Sequence, residues 1–274
     1  MRNVNRRTKT LLLIGMICVI LLGIAASGLV MNPESYAPDY AAKKLPPSAA
    51  HWFGTDYLGR DMFCRTIKGL STSILLGTLA AGVSAVIALV FGILSATVGG
   101  VIDKMISYLV DLFMGIPHLV LLMLISFALG KGLKGVIIGI ALTHWPNLTR
   151  VIRAEVLQIK NMQYVKAAER FGRTKVQIAC EHIIPHVIPQ FIVGLILLFP
   201  HAILHEAGVT FLGFGLGVDT PAIGIILSEA LKHISTGMWW LVFFPGMLLV
   251  MVVMLFDKLG DDIKLLIDPM SAQE

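Results

Sequence analysis

Charge is scarce in this 274-residue chain: Asp, Glu, Lys and Arg make up 14% of it, against about a quarter in an average soluble domain. With 56% hydrophobic residues, too little polar surface is left to dissolve a compact domain in water. Cysteine is rarer still. Cys18, Cys64 and Cys180 stand far apart with no C-x-x-C among them, so neither a disulfide framework nor a thiolate metal centre is expected. No G-x-x-x-x-G-K-[ST] stretch is present to cradle phosphates. The nearest approach, Gly130-Lys131, has Ile125 in place of the first glycine and no Ser or Thr after the lysine. Nucleotide hydrolysis is therefore not expected of this chain. The zinc-protease signature H-E-x-x-H fails at its last position, where His205-Glu206-Ala207-Gly208 is followed by Val209. Basic and aromatic residues do not interleave, so no nucleic-acid partner is expected.

What is abundant is long uncharged sequence. A helix crosses the hydrocarbon core with roughly 20 apolar residues. Leu11 to Met31, Ser73 to Val98 and Ile234 to Phe256 each supply such a run without one Asp, Glu, Lys or Arg. Leu112 to Gly130 is uncharged but holds Pro117 and His118, which neighbouring helices make tolerable in a membrane. From His182 to Gly217 the one charge is Glu206, giving a span from about Pro185 or Val187 to Glu206. Gly135 to Leu148 is short and contains His144 and Pro146. It is counted because of the rule that basic connections stay in the cytoplasm. With six spans and an inside N-terminus, fourteen of the 22 Lys and Arg lie inside; omitting this span would put the seven between Arg150 and Lys175 outside. The fold class is accordingly all-α, a polytopic bundle of six transmembrane helices. The basic start and Ala25-Ala26-Ser27 imitate a secretory signal, but the first run is read as a retained span.

Four regions follow. Residues 1–31 are a cytoplasmic N-terminus and first span, 32–72 an external loop, 73–258 a five-helix core with a cytoplasmic loop at 150–186, and 259–274 a cytoplasmic tail. The external loop opens with Pro33, Pro38, Pro46 and Pro47 and then tightens at His51 to Asp61, where aromatics suit headgroup depth and Arg60 is expected near Asp56 or Asp61. In the inner loop Val165, Ala168 and Phe171 share a helical face, and Gly172 is placed to stop the helix in a left-handed conformation. Thr174 and Gln177 have capping-box spacing for a restart before Pro185. A helix, a glycine corner and a second helix make a rigid platform facing the cytoplasm.

These residues resemble the cytoplasmic signature of permease subunits of ATP-binding-cassette importers for dipeptides, oligopeptides and nickel: Glu-Ala-Ala, three residues, Gly, nine residues, Ile-x-Leu-Pro. Ala167, Ala168, Gly172 and Pro185 occupy those spacings, with Lys166, His182 and Ile184 as departures. The likeness extends to Gly54 through Asp61, to Phe211 through Gly217, to Pro245-Gly246, and to Gly260-Asp261-Asp262 with Asp268-Pro269; Ile223 stands where that family is expected to have tryptophan. The resemblance implies the type I importer architecture, in which Gln163, Tyr164, Val165, Ala167, Ala168, Phe171 and Gly172 form a coupling helix docked on an ATPase. It implies a second homologous permease, two ATP-binding-cassette ATPases and an external substrate-binding protein as partners, besides membrane lipid, with ATP bound on those partner subunits and no cofactor on this chain. The localisation implied is the cell (inner) membrane, multi-pass, with both termini cytoplasmic.

One polar constellation lies within a predicted span. His201 and His205 are four residues apart and so share a helix face, and imidazole suits nickel, copper or zinc. Glu206 beside them costs roughly 2.5 to 3.5 kcal/mol at mid-helix unless it meets a polar cavity. His201, His205 and Glu206 are the candidate metal-contacting, pathway-lining residues, while His118 and His144 are read as structural. Nickel-type permeases are similar in their His-x-x-x-His-x-Ala-Gly pattern and in Leu142-Thr143-His144-Trp145, so nickel or a metal chelate is the expected substrate, with dipeptides or oligopeptides as the alternative. A secondary transporter or channel is the alternative of a different class; it would be expected to carry more intramembrane carboxylates or an internal repeat.

Overall fold

A computed structural model describes residues 6–217 and 219–267, and within them every regular element is a helix. Arg2 and the Asp268-Pro269 pair fall outside the described residues. The first helix, α1 (Arg6–Val30), is apolar all round and buries little beyond Ile17 and Leu21, the pattern of a helix facing lipid. It closes on its neighbour where a side chain on Gly28 would strike Ser71 at 2.2 Å. There Ser71 Oγ donates to the Ala25 carbonyl at 2.7 Å, and Lys68 Nζ to that of Gly28, also at 2.7 Å.

After two short 3-10 turns capped by Asn32 and Asp39, the chain enters α2 (Met62–Val98), 37 residues capped by Asp61, whose carboxylate accepts from the Cys64 amide at 2.9 Å. The loop expected to run to Thr72 therefore gives way to helix at Met62, because the charges of Arg65 and Lys68 find partners inside the fold. Small residues line the buried face of α2, Ala80, Ala81, Ser84, Ala85 and Ala88 among them; these let helix backbones approach closely in a bilayer. Gly99 and Gly100, both at positive φ, turn the chain into α3 (Gly100–Gly115).

The expected span Leu112 to Gly130 is broken. α3 and α4 (His118–Ala128) meet at Ile116-Pro117 with a bend of 94°, as a proline with no amide hydrogen and a ring that crowds the preceding turn requires. Gly135 to Leu148 is also divided, between α5 (Gly132–Thr143) and α6 (Trp145–Lys160). Pro146 cannot donate to the carbonyl of Leu142, four residues back, and that carbonyl instead accepts from Trp145 Nε1 at 2.9 Å.

A short α7 (Gln163–Arg170) precedes α8 (Lys175–Ile178), a π turn over Ala179–Ile183, and α9 (Ile184–Phe211). The last three run on without a stop at Pro185, and the span reaches Phe211 rather than Glu206. The π turn widens the helix where Pro185 enters its first turn. α10 (Ile223–Leu231) is short, and α11 (Trp240–Ile267) starts six residues after the expected Ile234, behind a left-handed Gly237, and absorbs most of the supposed tail.

Four stretches are long and apolar enough to cross a membrane as single helices: α1, α2, α8 to α9, and α11; the bent α3–α4 pair makes up to five. The sixth expected crossing, Gly135 to Leu148, lies in α5 and α6, of 12 and 16 residues, neither long enough to count as a span alone.

Candidate functional site

The two interruptions of helix geometry bring the same kind of side chain to one point. Pro117 delivers His118 at the first position of α4, the break before Pro146 leaves His144 between α5 and α6, and α9 presents His205. The imidazole centroids lie 4.5 Å apart for His118 and His144, 4.4 Å for His118 and His205, and 5.1 Å for His144 and His205. One ring nitrogen from each falls within 4.8 Å of the other two. The three rings form one wall of an open cavity of about 410 Å³ whose lining also includes Asn147 and, one turn before His205, His201.

The ring of His144 is fixed by its own backbone. Its Nδ1 donates to the Ile140 carbonyl at 3.0 Å and lies 3.2 Å from Thr143 Oγ1. A carbonyl can only accept, so the neutral ring carries its proton on Nδ1 and keeps a lone pair on Nε2. His144 is 6% exposed, and neither its Nε2 nor that of His118 has a hydrogen-bond partner, although both atoms are buried.

Of the three residues proposed from sequence, His201 and His205 line this cavity and Glu206 does not. One residue further along α9 is about 100° around the helix, and that turns Glu206 away. It is fully buried, accepting from Thr210 Oγ1 at 2.9 Å and lying by Ser73 of α2, with its other oxygen unpartnered. His118 and His144, read as structural, stand in the cluster instead. Sequence spacing exposes an i, i+4 pair on one helix but not residues brought together from three; the available signal was that His118 and His144 each adjoin a proline-induced break.

At the end of the bundle away from α7, the segment Gly54 to Asp61 is locked to α10 by charges. Asp56 Oδ2 accepts from Arg60 Nε at 2.6 Å and from Arg65 Nη1 at 3.3 Å, and Glu229 Oε2 accepts from the same two guanidinium groups at 2.9 and 2.6 Å. Burial works against the Arg60 charge, but Asp56 and Glu229 outweigh it and raise the group above its ordinary value. The pairing of Arg60 with Asp56 is the expected one; Asp61 pairs instead with His51, at 2.8 Å. The glycine-rich stretch near Phe214 is tied to the α4–α5 turn, where Ser126 Oγ donates to the Phe214 carbonyl at 2.7 Å and the Gly132 amide to that of Gly215 at 2.9 Å.

At the opposite end α7 stands on the bundle through Val165, buried in one cluster with Ile159, Ile178 and Ile183. Its C-terminus is a Schellman motif: the Gly172 amide donates to Glu169 at 3.0 Å and the Arg173 amide to Ala168 at 3.2 Å, with Gly172 at φ +83°. Thr174 and Gln177 then form the capping box, with bonds of 2.9 and 3.3 Å. Phe171 does not share the fate of Val165, as their common periodicity suggested. As the cap residue it leaves the helical path and is 88% exposed.

Residues 88–262 match the family described as binding-protein-dependent transport system inner membrane component. The dipeptide transport system permease protein of Bacillus subtilis (strain 168) is 34% identical over 254 residues, 92% of this chain and 79% of that one. The nickel transport system permease protein of Escherichia coli (strain K12) is 34% identical over 238 residues, covering 86% and 85%; oligopeptide and D,D-dipeptide permeases match as well. In fold, the chain is similar to the MetNI methionine ABC transporter in an inward-facing form, with a TM-score of 0.61 at 21% identity over 74% of this chain and 95% of that one. ABC importers of this family in general pair their permeases with separate ATPases and a substrate-binding protein, which removes the self-sufficient transporter or channel from consideration. The chain belongs to the family of binding-protein-dependent inner membrane transport components and is a multi-pass permease subunit of an ABC importer.

Proposed function

We propose that this chain forms half of a translocation pathway, completed by a second homologous permease, and that the substrate is a metal chelate, nickel being the ion the sequence resemblance favours. The observation that carries this reading is the meeting of His118, His144 and His205 on a cavity also lined by His201. Late transition metals favour imidazole ligands, and a peptide in transit has no need of three clustered imidazoles. An importer must also release its cargo, so weak contact with a chelate suits the task better than tight capture of a bare ion.

The same reading puts the α7 end in the cytoplasm together with both termini, and gives Gln163, Tyr164, Ala167, Ala168, Phe171 and Gly172 the task of docking on one of two ATPases, with Val165 anchoring them from behind. Exposed Phe171 is the natural knob for a groove. ATP would act on the partner subunits alone, drawing the two coupling helices together and letting them part after hydrolysis. His201 and His205 line the pathway in this scheme, and Glu206 lies beside Ser73 of α2, off the pathway.

A second reading, import of metal-free dipeptides or oligopeptides, is favoured by the names of more of the relatives than is nickel. The deciding measurement is ATP hydrolysis by the reconstituted complex in the presence of its binding protein. Stimulation by the metal-chelate-loaded protein and not by the peptide-loaded one is expected; the reverse would hand the function to peptides.

A further inference from the structure

We infer that His118, His144 and His205 constitute a three-nitrogen coordination face that transiently takes over one side of a partly chelated divalent late transition metal, Ni(II), Cu(II) or Co(II), during its passage. The inference rests on the metal-chelate reading above and deepens it.

The geometry limits what such a face can do. Nitrogens bound at about 2.1 Å to one ion lie roughly 3.0 Å from one another on an octahedral face and roughly 3.4 Å apart in tetrahedral arrangement. The three here, within 4.8 Å of each other, need only side-chain adjustments to converge. His144 needs the least, because its Nδ1 bond to Ile140 fixes the ring and leaves Nε2 unpartnered. A backbone carbonyl on the far nitrogen is the usual means by which proteins orient a ligating histidine and raise its basicity. His118 Nε2 is likewise buried with nothing to bond, and an orphaned polar atom is costly unless something visits it.

Charge sets the class of ligand. The face is built of imidazoles alone, and the nearest carboxylate in sequence, Glu206, is turned into the protein against Thr210. A dipositive ion held only by neutral rings at membrane depth would lack compensation, so anionic donors must arrive with it. Three facial nitrogens leave an octahedral ion three positions toward the cavity, where the carboxylates and amines of an amino-acid-like chelator fit and where Asn147 and His201 offer hydrogen bonds. α4 is 11 residues long and thus about 16 Å, so His118 sits roughly half a hydrocarbon core of about 30 Å below the turn at Gly130.

The test uses the full chain purified with its native partner subunits, titrated with Ni(II) alone and then with Ni(II) in two equivalents of glycine, which brings carboxylate and amine donors but no imidazole, and read by competition with a chromophoric chelator and by nickel X-ray absorption. The expected result is one ion per chain with about three imidazole scatterers. His118→Gln and His144→Gln should each weaken binding at least tenfold, with unchanged gel-filtration profile and thermal midpoint, while His233→Gln at the far end should bind as the parent does. Equal affinity in His118→Gln and His144→Gln, or a nickel spectrum without imidazole, overturns the inference. Uptake of nickel by vesicles separates it from the broader reading. Unchanged nickel uptake in both variants sinks the coordination face and leaves the metal-chelate substrate standing. Nickel held by the three rings without any nickel uptake sinks the substrate and leaves the site.

Discussion

Replacing Gly172 by valine tests the corner between α7 and α8. The residue stands at φ +83°, where a side chain brings its Cβ against the following carbonyl at a cost of about 1–2 kcal/mol. A Cβ built there meets nothing within 4 Å, so no clash with the rest of the protein adds to that figure and the fold as a whole should survive. The cost falls on the turn. It opposes the bonds from Gly172 to Glu169 and from Arg173 to Ala168, which close α7 and aim Phe171 outward. Since 1.4 kcal/mol is a factor of ten, the opened turn should gain about 5–30-fold in population. Hydrogen exchange on the purified complex should show the amides of residues 172 and 173 exchanging faster by that factor. Transport should fall at unchanged membrane level, and Gly172→Asn, which accepts left-handed backbone far better, should recover most of both. Parental exchange rates in the valine variant would refute the conformational reasoning. Fast exchange with full transport would instead refute the coupling role of α7.

Three other expectations follow from the packing. Asp56→Ala leaves Arg60 and Arg65 sharing Glu229 alone in a site where Asp56 is 1% exposed; loss of one partner from a buried ionic cluster costs about 3–5 kcal/mol, so the thermal midpoint in detergent should drop by several degrees, and an unmoved midpoint would show the cluster to be ornamental. Gly224→Val places a Cβ 2.4 Å from the Ala207 carbonyl and should cost about 1–3 kcal/mol by forcing α10 off α9, read as a lower midpoint with faster proteolysis of the loop before α10; parental proteolysis would count against that contact. Glu206→Met removes a fully buried carboxyl with one unpartnered oxygen and should hold or raise the thermal midpoint, because well-packed apolar replacements of poorly satisfied buried ionisable groups are commonly neutral or better; a large loss of stability would mean that the bond from Thr210 outweighs the orphaned oxygen.

Composition and charge distribution settled that the chain lives in a membrane as helices, because the bilayer requires each spanning segment to be long, uncharged and internally hydrogen-bonded. Local chemistry was legible for the same reason: the Gly172 corner, the Thr174 and Gln177 box and the pairing of Arg60 with Asp56 depend on residues a few positions apart. Apolarity alone did not show where helices would end or bend. Prolines 117 and 146 stand at breaks in their segments, whereas Pro185 is carried through in the helix that follows a π turn. The substrate-facing chemistry was the least legible. His201 and His205 advertised themselves by helical spacing, but His118 and His144 come to the cavity from two other helices, and Glu206 leaves it by a single-residue rotation. Only the packing of α4, α5, α6 and α9 decides which imidazoles face one another, because the distance between residues on separate helices is set by how small side chains let those helices close, and no periodicity within one segment records it.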